Sequence, residues 1–183
     1  IARAGEEATP LLQQLVRAAQ LPQGQLQAIA TLDGLGTLAV DDVLHTLRSN
    51  HPEVVRQSIR LAERMLDEPD VLAAIQQLAA SPDSHVVRQV AYSLGESDAP
   101  AAAATLAAIA AAAGNDVYLR GAVLSSISSS NVTAVLDAFR NITKGRRSDL
   151  ASQLVSLAVR LGDARSVAEA FRSVVTNADP NDA

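Results

Sequence analysis

The tetrapeptide Val-Val-Arg-Gln occurs at Val54–Gln57 and again at Val86–Gln89, and a looser form, Tyr-Leu-Arg-Gly, follows at Tyr118–Gly121. Its arginines, Arg56, Arg88 and Arg120, are each 32 residues apart. A fixed period of roughly 20 to 50 residues marks a stacked repeat protein, in which each unit buries its apolar face only against the next. This recurrence constrains the fold more than any other feature of the chain.

The best-formed copy, Asn50 to Met65, opens with the turn Asn50-His51-Pro52. It continues with Val55, Ile59, Ala62 and Leu66 at i, i+4, i+7 and i+11. That spacing places one apolar stripe on a helix. Glu68-Pro69-Asp70 ends it, and Val71, Ile75 and Leu78 make an antiparallel mate. After the turn Ser81-Pro82-Asp83-Ser84, Val87, Ala91 and Leu94 repeat the stripe, and Ala101 to Ala113 form the second mate. Leu119, Val123 and Ile127 give the third copy. Asn131 is expected to cap a mate carrying Val132, Val135, Leu136 and Phe139.

The flanks follow the same rhythm. Thr9-Pro10 reads as an N-cap followed by proline at the first helical position. Leu11, Leu12, Leu15, Val16 and Ala19 continue that helix. Leu26, Ile29, Ala30 and Leu32 form the next, stopped by Asp33-Gly34-Leu35-Gly36, and Val40, Val43, Leu44 and Leu47 a short third. Beyond the basic turn Lys144-Gly145-Arg146-Arg147 come a helix with Leu150, Leu154, Leu157 and Leu161 and a last one with Val167, Phe171 and Val174. About eleven helices joined by short loops predict antiparallel neighbours.

Composition narrows the function. Hydrophobic residues make up 48% and charged residues 19%, a balance that favours folding. Aromatics are only 2%, and alanine supplies much of the apolar share, so stability must come from many thin interfaces. A net charge of −5 argues against sequence-independent nucleic-acid binding, which needs a basic surface. The chain has no cysteine, which excludes disulfides, thiolate metal sites and cysteine nucleophiles. The longest charge-free run, between Asp98 and Asp116, is alanine-rich and short of the roughly 20 strongly apolar residues of a spanning helix. It reads as a buried repeat helix. The start at Ile1, mid-pattern and without methionine, reads as a fragment of something longer.

Pro52–Ala62, Pro82–Leu94 and Asn115–Ile127 resemble HEAT repeats of the short, phycocyanobilin-lyase-like kind: a turn, Val-Arg opening the first helix, then an alanine-rich stripe. The resemblance runs from about Leu12 to Val175. That family usually carries an aspartate six residues before the arginine, where it joins a ladder between repeats. Here those positions are Asn50, Pro82 and Gly114, with Asp83 and Asp116 nearby. A narrower resemblance rests on Thr31-Leu32-Asp33-Gly34-Leu35-Gly36, His51–Arg56 with Arg60–Glu63, and Leu119–Ile127. These stretches are similar to the helical segment of planctomycete-type membrane-bound dehydrogenase-like proteins, where it lies between a sugar-dehydrogenase-like propeller and a c-type cytochrome domain. This resemblance implies a spacer module from a bacterial redox protein outside the cytoplasm, with the chemistry elsewhere. The chain has no Cys-x-x-Cys-His, and no haem or catalytic residue carries over.

Arg56, Arg60 and Arg64 share a helix face that Arg88 and Arg120 extend onto two neighbours. They read either as a basic stripe for an acidic partner or as structural residues. Glu53, Glu63 and Glu68 lie three or four residues away and suit exposed ion pairs. Lys144, Arg146 and Arg147 precede a helix N-terminus, where an anion contact competes with an ordinary basic loop tip. His45, His51 and His85 lack a zinc-ligand spacing and read as solvated. Asp33-Gly34-Leu35-Gly36 follows a helix rather than a strand, so its Gly-x-Gly is a helix stop and not a dinucleotide fingerprint. The serines at 125, 126 and 128–130 have no paired His or Asp motif. Asn131-Val132-Thr133 and Asn141-Ile142-Thr143 match the glycosylation acceptor pattern, but Asn131 is better explained as a helix cap.

The expected protein is therefore all-α: a right-handed α-α superhelix, HEAT-like, of about five antiparallel helix pairs over residues 1–176, with a polar tail at 177–183. It is expected to be a non-enzymatic scaffold for other proteins or neighbouring domains. No cofactor, metal, nucleic acid or direct membrane insertion is expected.

Overall fold

The computed structural model describes residues 2–144, 149–162, 164 and 168, with side chains from residue 7. It contains ten α-helices among the described residues: α1 (Ala2–Ala18), α2 (Pro22–Gly34), α3 (Val40–Thr46), α4 (Pro52–Leu61), α5 (Pro69–Gln77), α6 (Ser84–Leu94), α7 (Pro100–Ala112), α8 (Val117–Ser125), α9 (Val132–Thr143) and α10 (Asp149–Arg160). Two 3-10 turns, Ala62–Met65 and Leu78–Ala80, extend α4 and α5. No strand occurs among the described residues. The helix carrying Val167, Phe171 and Val174, and the tail, lie outside them.

The even-numbered helices form one layer and the odd-numbered ones the other. In the first, α2 packs on α4, α4 on α6, α6 on α8 and α8 on α10; in the second, α1, α3, α5, α7 and α9 follow in the same way. Each helix thus meets chiefly its immediate neighbours, and five pairs stack in an α-α superhelix, as the repeat period predicts.

Helix starts explain why the pairs are so regular. Proline occupies the opening position of α2, α4, α5 and α7, where a missing N–H costs nothing. α6 and α8 open instead with aspartate caps. Asp83 Oδ1 accepts from His85 N at 2.8 Å and Val86 N at 3.2 Å, and Asp116 Oδ1 from Tyr118 N at 2.9 Å and Leu119 N at 3.0 Å. Each carboxylate satisfies two of the N–H groups that a helix leaves without partners. The expected stop after α2 is also present: Gly36 takes φ +70°, and Thr37 N returns to Leu32 O at 2.9 Å.

The central stripe is buried as its spacing predicts, at Val55, Ile59, Ala62 and Leu66, and so are Val87, Ala91 and Leu94. One core runs without interruption from Val43 on α3 to Ala158 on α10. A small second cluster, Val16, Ala28, Ile29 and Leu32, lies between α1 and α2, and half-buried Leu38 packs against both. Alanines 102, 103, 107 and 110 of α7 let it lie close to α9, the most extensive helix contact in the array.

Three local expectations change. First, α1 begins at Ala2 and carries Pro10 within it. Pro10 faces solvent, where loss of one backbone hydrogen bond is tolerable, and Thr9 bonds Thr37 across to the α3 approach at 3.0 Å instead of capping. Leu11 and Leu15 are consequently exposed. Second, Asn131 stands before α9 but serves the preceding turn: Oδ1 accepts from Ser128 N at 3.0 Å and Nδ2 donates to Ser126 O at 2.9 Å. Third, the stripe of α10 is Leu150, Leu154 and Ala158, with Leu157 and Leu161 half-buried; among the described helices it packs chiefly on α8 and α9.

Candidate interaction surface

The arginines of the repeat sit on the solvent side of the even-numbered layer, but their roles differ. Arg56 and Arg60 are exposed on α4 and have no ion-pair partner among the described residues. Arg64, in the 3-10 turn that follows, pairs with Asp33 at the end of α2. Arg88 is held from two directions: its Nη2 donates to His85 Nδ1 at 2.6 Å, and its guanidinium lies 5.5 Å from the Tyr118 ring centroid on α8. The second contact is a cation–π bridge from one repeat to the next.

Arg120 departs from the row. Helix caps at His51, Asp83 and Asp116 are spaced by 32 and then 33 residues, so α8 starts one residue later than the sequence period implies. Arg120 is then half-buried, one turn inside α8, beside a cavity of about 450 Å³ lined also by Phe139, Ile142, Asp149 and Leu150. Lys144 ends α9 in the left-handed conformation, φ 51°, and is exposed. Arg146 and Arg147 lie outside the described residues.

The local ion pairs expected around the stripe are not formed among the described residues, and two of their members, Glu63 and Arg64, make contacts between helices instead. Glu63 accepts the Ser93 hydroxyl of α6 at 2.7 Å, so its charge is drawn into the α4–α6 seam. Glu53 lies 3.9 Å from His51. The nearby aspartates, Asp83 and Asp116, cap their own helices and form no ladder with Arg88 or Arg120. Other polar ties hold the stack. Gln76 of α5 donates to Ala101 O at 2.9 Å and to Thr105 Oγ1 at 2.8 Å on α7. Fully buried Asp42 on α3 meets Arg17 at 3.0 Å and Gln13 at 2.9 Å, both on α1. The hydroxyls of Ser125 and Ser126 bond back to Ala122 O at 2.9 and 2.8 Å.

Sequence reasoning passed over the tyrosines as surface residues. Tyr92 and Tyr118, the only two in the chain, are 48% and 70% exposed on adjacent helices. Their positions, four residues after Arg88 and two before Arg120, carry the signal that would have found them. No group of three or more metal-ligating side chains converges among the described residues. No helix among them is long and apolar enough to cross a membrane.

Residues 40–128 match the family model described as HEAT repeats, a span running from the start of α3 past the end of α8. With the two stacked helical layers, this makes the chain a HEAT-like helical repeat protein. Neither the curated proteins nor the solved structures yield a match.

Proposed function

We propose that the chain is a non-catalytic scaffold that holds protein partners or neighbouring domains of its own polypeptide in a fixed arrangement. One observation carries this reading: two layers of helices, each helix packed chiefly on the adjacent helices of its own layer, present a long regular surface rather than a closed cleft. Cross-linking mass spectrometry on the full-length protein in its native cells tests it. Reproducible cross-links from the repeat to one partner or adjoining domain are expected. Their complete absence refutes the proposal.

A second reading makes the chain the helical module of a membrane-associated sugar-dehydrogenase-like or cytochrome c redox protein, outside the cytoplasm. It rests on the similarity at Thr31–Gly36, His51–Arg56 with Arg60–Glu63, and Leu119–Ile127. Part of that similarity has a structural explanation in the Asp33–Arg64 pair and the Gly36 turn. The flanking reading frame decides the matter: a propeller pattern or a Cys-x-x-Cys-His segment beside the repeat supports this reading, and their absence removes it.

A further inference from the structure

Resting on the scaffold reading, the structure assigns the docking surface to the solvent face of α4, α6 and α8, built on Arg56, Arg60, Arg88, Tyr92 and Tyr118, and its occupant to an acidic polypeptide segment.

Charge is segregated along the array. The chain carries −5 overall, yet no acidic residue lies between Asp83 and Glu96 or between Asp116 and Asp137. The carboxylates of Asp83 and Asp116 are engaged with backbone N–H groups at the helix starts, and Glu63 with Ser93. Glu53, in the first turn of α4 beside His51, is the remaining acid on these helices. What faces solvent between the turns is therefore net basic, on a molecule whose net charge is negative.

The arginines and tyrosines also share a register. Arg56 and Arg88 stand five residues past the caps of α4 and α6, and Arg60 and Tyr92 nine past them. Since α4 and α6 pack side by side, these four positions form two rows crossing the helices. Tyr118 joins them from α8 through its ring contact with Arg88, and Tyr92 lies one helical turn beyond Arg88. Arginine and tyrosine are the residues enriched where interfaces derive most of their affinity. The contacts of Arg88 with His85 and Tyr118 fix its guanidinium in advance, which lowers the entropy lost on binding. Guanidinium groups take carboxylates in paired hydrogen bonds, and the exposed ring faces accept the apolar residues interleaved with them.

Fluorescence anisotropy tests this with a fluorescein-labelled peptide of four Glu-Glu-Leu-Gly units, its Gln-for-Glu counterpart, and a single-stranded oligonucleotide of equal charge. The acidic peptide is expected to bind the full chain with an affinity that falls as salt rises, and the Gln peptide not to bind. Arg56→Glu with Arg60→Glu should weaken binding about tenfold, and Tyr92→Ser with Tyr118→Ser several-fold, with helicity by circular dichroism unchanged. Equal binding of the Gln peptide, undiminished binding by the charge-reversed variant, or tighter binding of the oligonucleotide would overturn the assignment. The cross-linking experiment run with the same variants separates the two readings. A partner retained by Arg56→Glu with Arg60→Glu overturns this face alone. The absence of any cross-link to the wild-type chain overturns the scaffold as well.

Discussion

Gly95, at the end of α6, lies against Ser126, at the end of α8, so closely that a side chain at Gly95 would place its Cβ 2.7 Å from Ser126 Cβ and 2.9 Å from the Ser126 backbone. No flexible group stands in the way that can swing aside; the obstacle is the neighbouring repeat itself. Gly95→Ala should therefore force α6 and α8 apart and cost about 1–3 kcal/mol, read from chemical denaturation. Ser126→Gly in the same background should restore only part of that loss, because the backbone contacts remain.

Asp42 is fully buried and anchors α1 to α3 through Arg17 and Gln13, while also accepting from Ala39 N at 3.4 Å. Asp42→Ala should destabilise the chain by about 1–3 kcal/mol, since the half-exposed arginine can rehydrate but the part-buried amides of Gln13 and Ala39 lose their acceptor. Hydrogen exchange should localise the loss of protection to α1 and the start of α3, leaving α6 to α9 unchanged.

Asp83 separates two roles that the sequence leaves entangled. As a cap it should lose about 1 kcal/mol on Asp83→Ala and very little on Asp83→Asn, which keeps an acceptor oxygen. As a rung of a ladder it would couple to Arg88. A double-mutant cycle of Asp83→Ala with Arg88→Ala should give a coupling near zero in denaturation midpoints, consistent with its bonds to His85 N and Val86 N.

Leu106 is fully buried in α7 among alanines. Because those small neighbours leave little side-chain volume to collapse into a void, Leu106→Ala should fall in the upper part of the roughly 2–5 kcal/mol range for such truncations. Thermal unfolding of the variant measures this directly.

The tyrosine–arginine bridge should be modest. Tyr118→Leu keeps apolar area but removes the ring under Arg88, and a loss of about 0.5–1 kcal/mol is expected from denaturant unfolding.

The architecture was legible because burial repeats with the sequence: Ile59, Ala91 and Val123 are spaced by 32 residues and all are buried. The partners of the surface charges were not. Spacing along one helix nominates Arg60 for Glu63 and Arg64 for Glu68, yet Glu63 turns to Ser93 and Arg64 to Asp33. In a layered array, a side chain at the edge of a helix reaches the adjacent helix as easily as its own next turn. A helix-wheel reading has no access to that neighbour. The one-residue slip of the α8 cap was hidden for a related reason. The letters of Arg88 and Arg120 align at 32, while the helix begins where Asp116, and not Asn115, collects the free amides.

The small cluster between α1 and α2 touches the main core through Leu38, reaches α4 through half-buried Leu61, and is tied to the α3 region by polar side chains. Tension applied between the ends of such an array would meet unequal resistance. The leading hairpin would peel away at low force, and the longer body from α3 onward would yield later, one seam at a time.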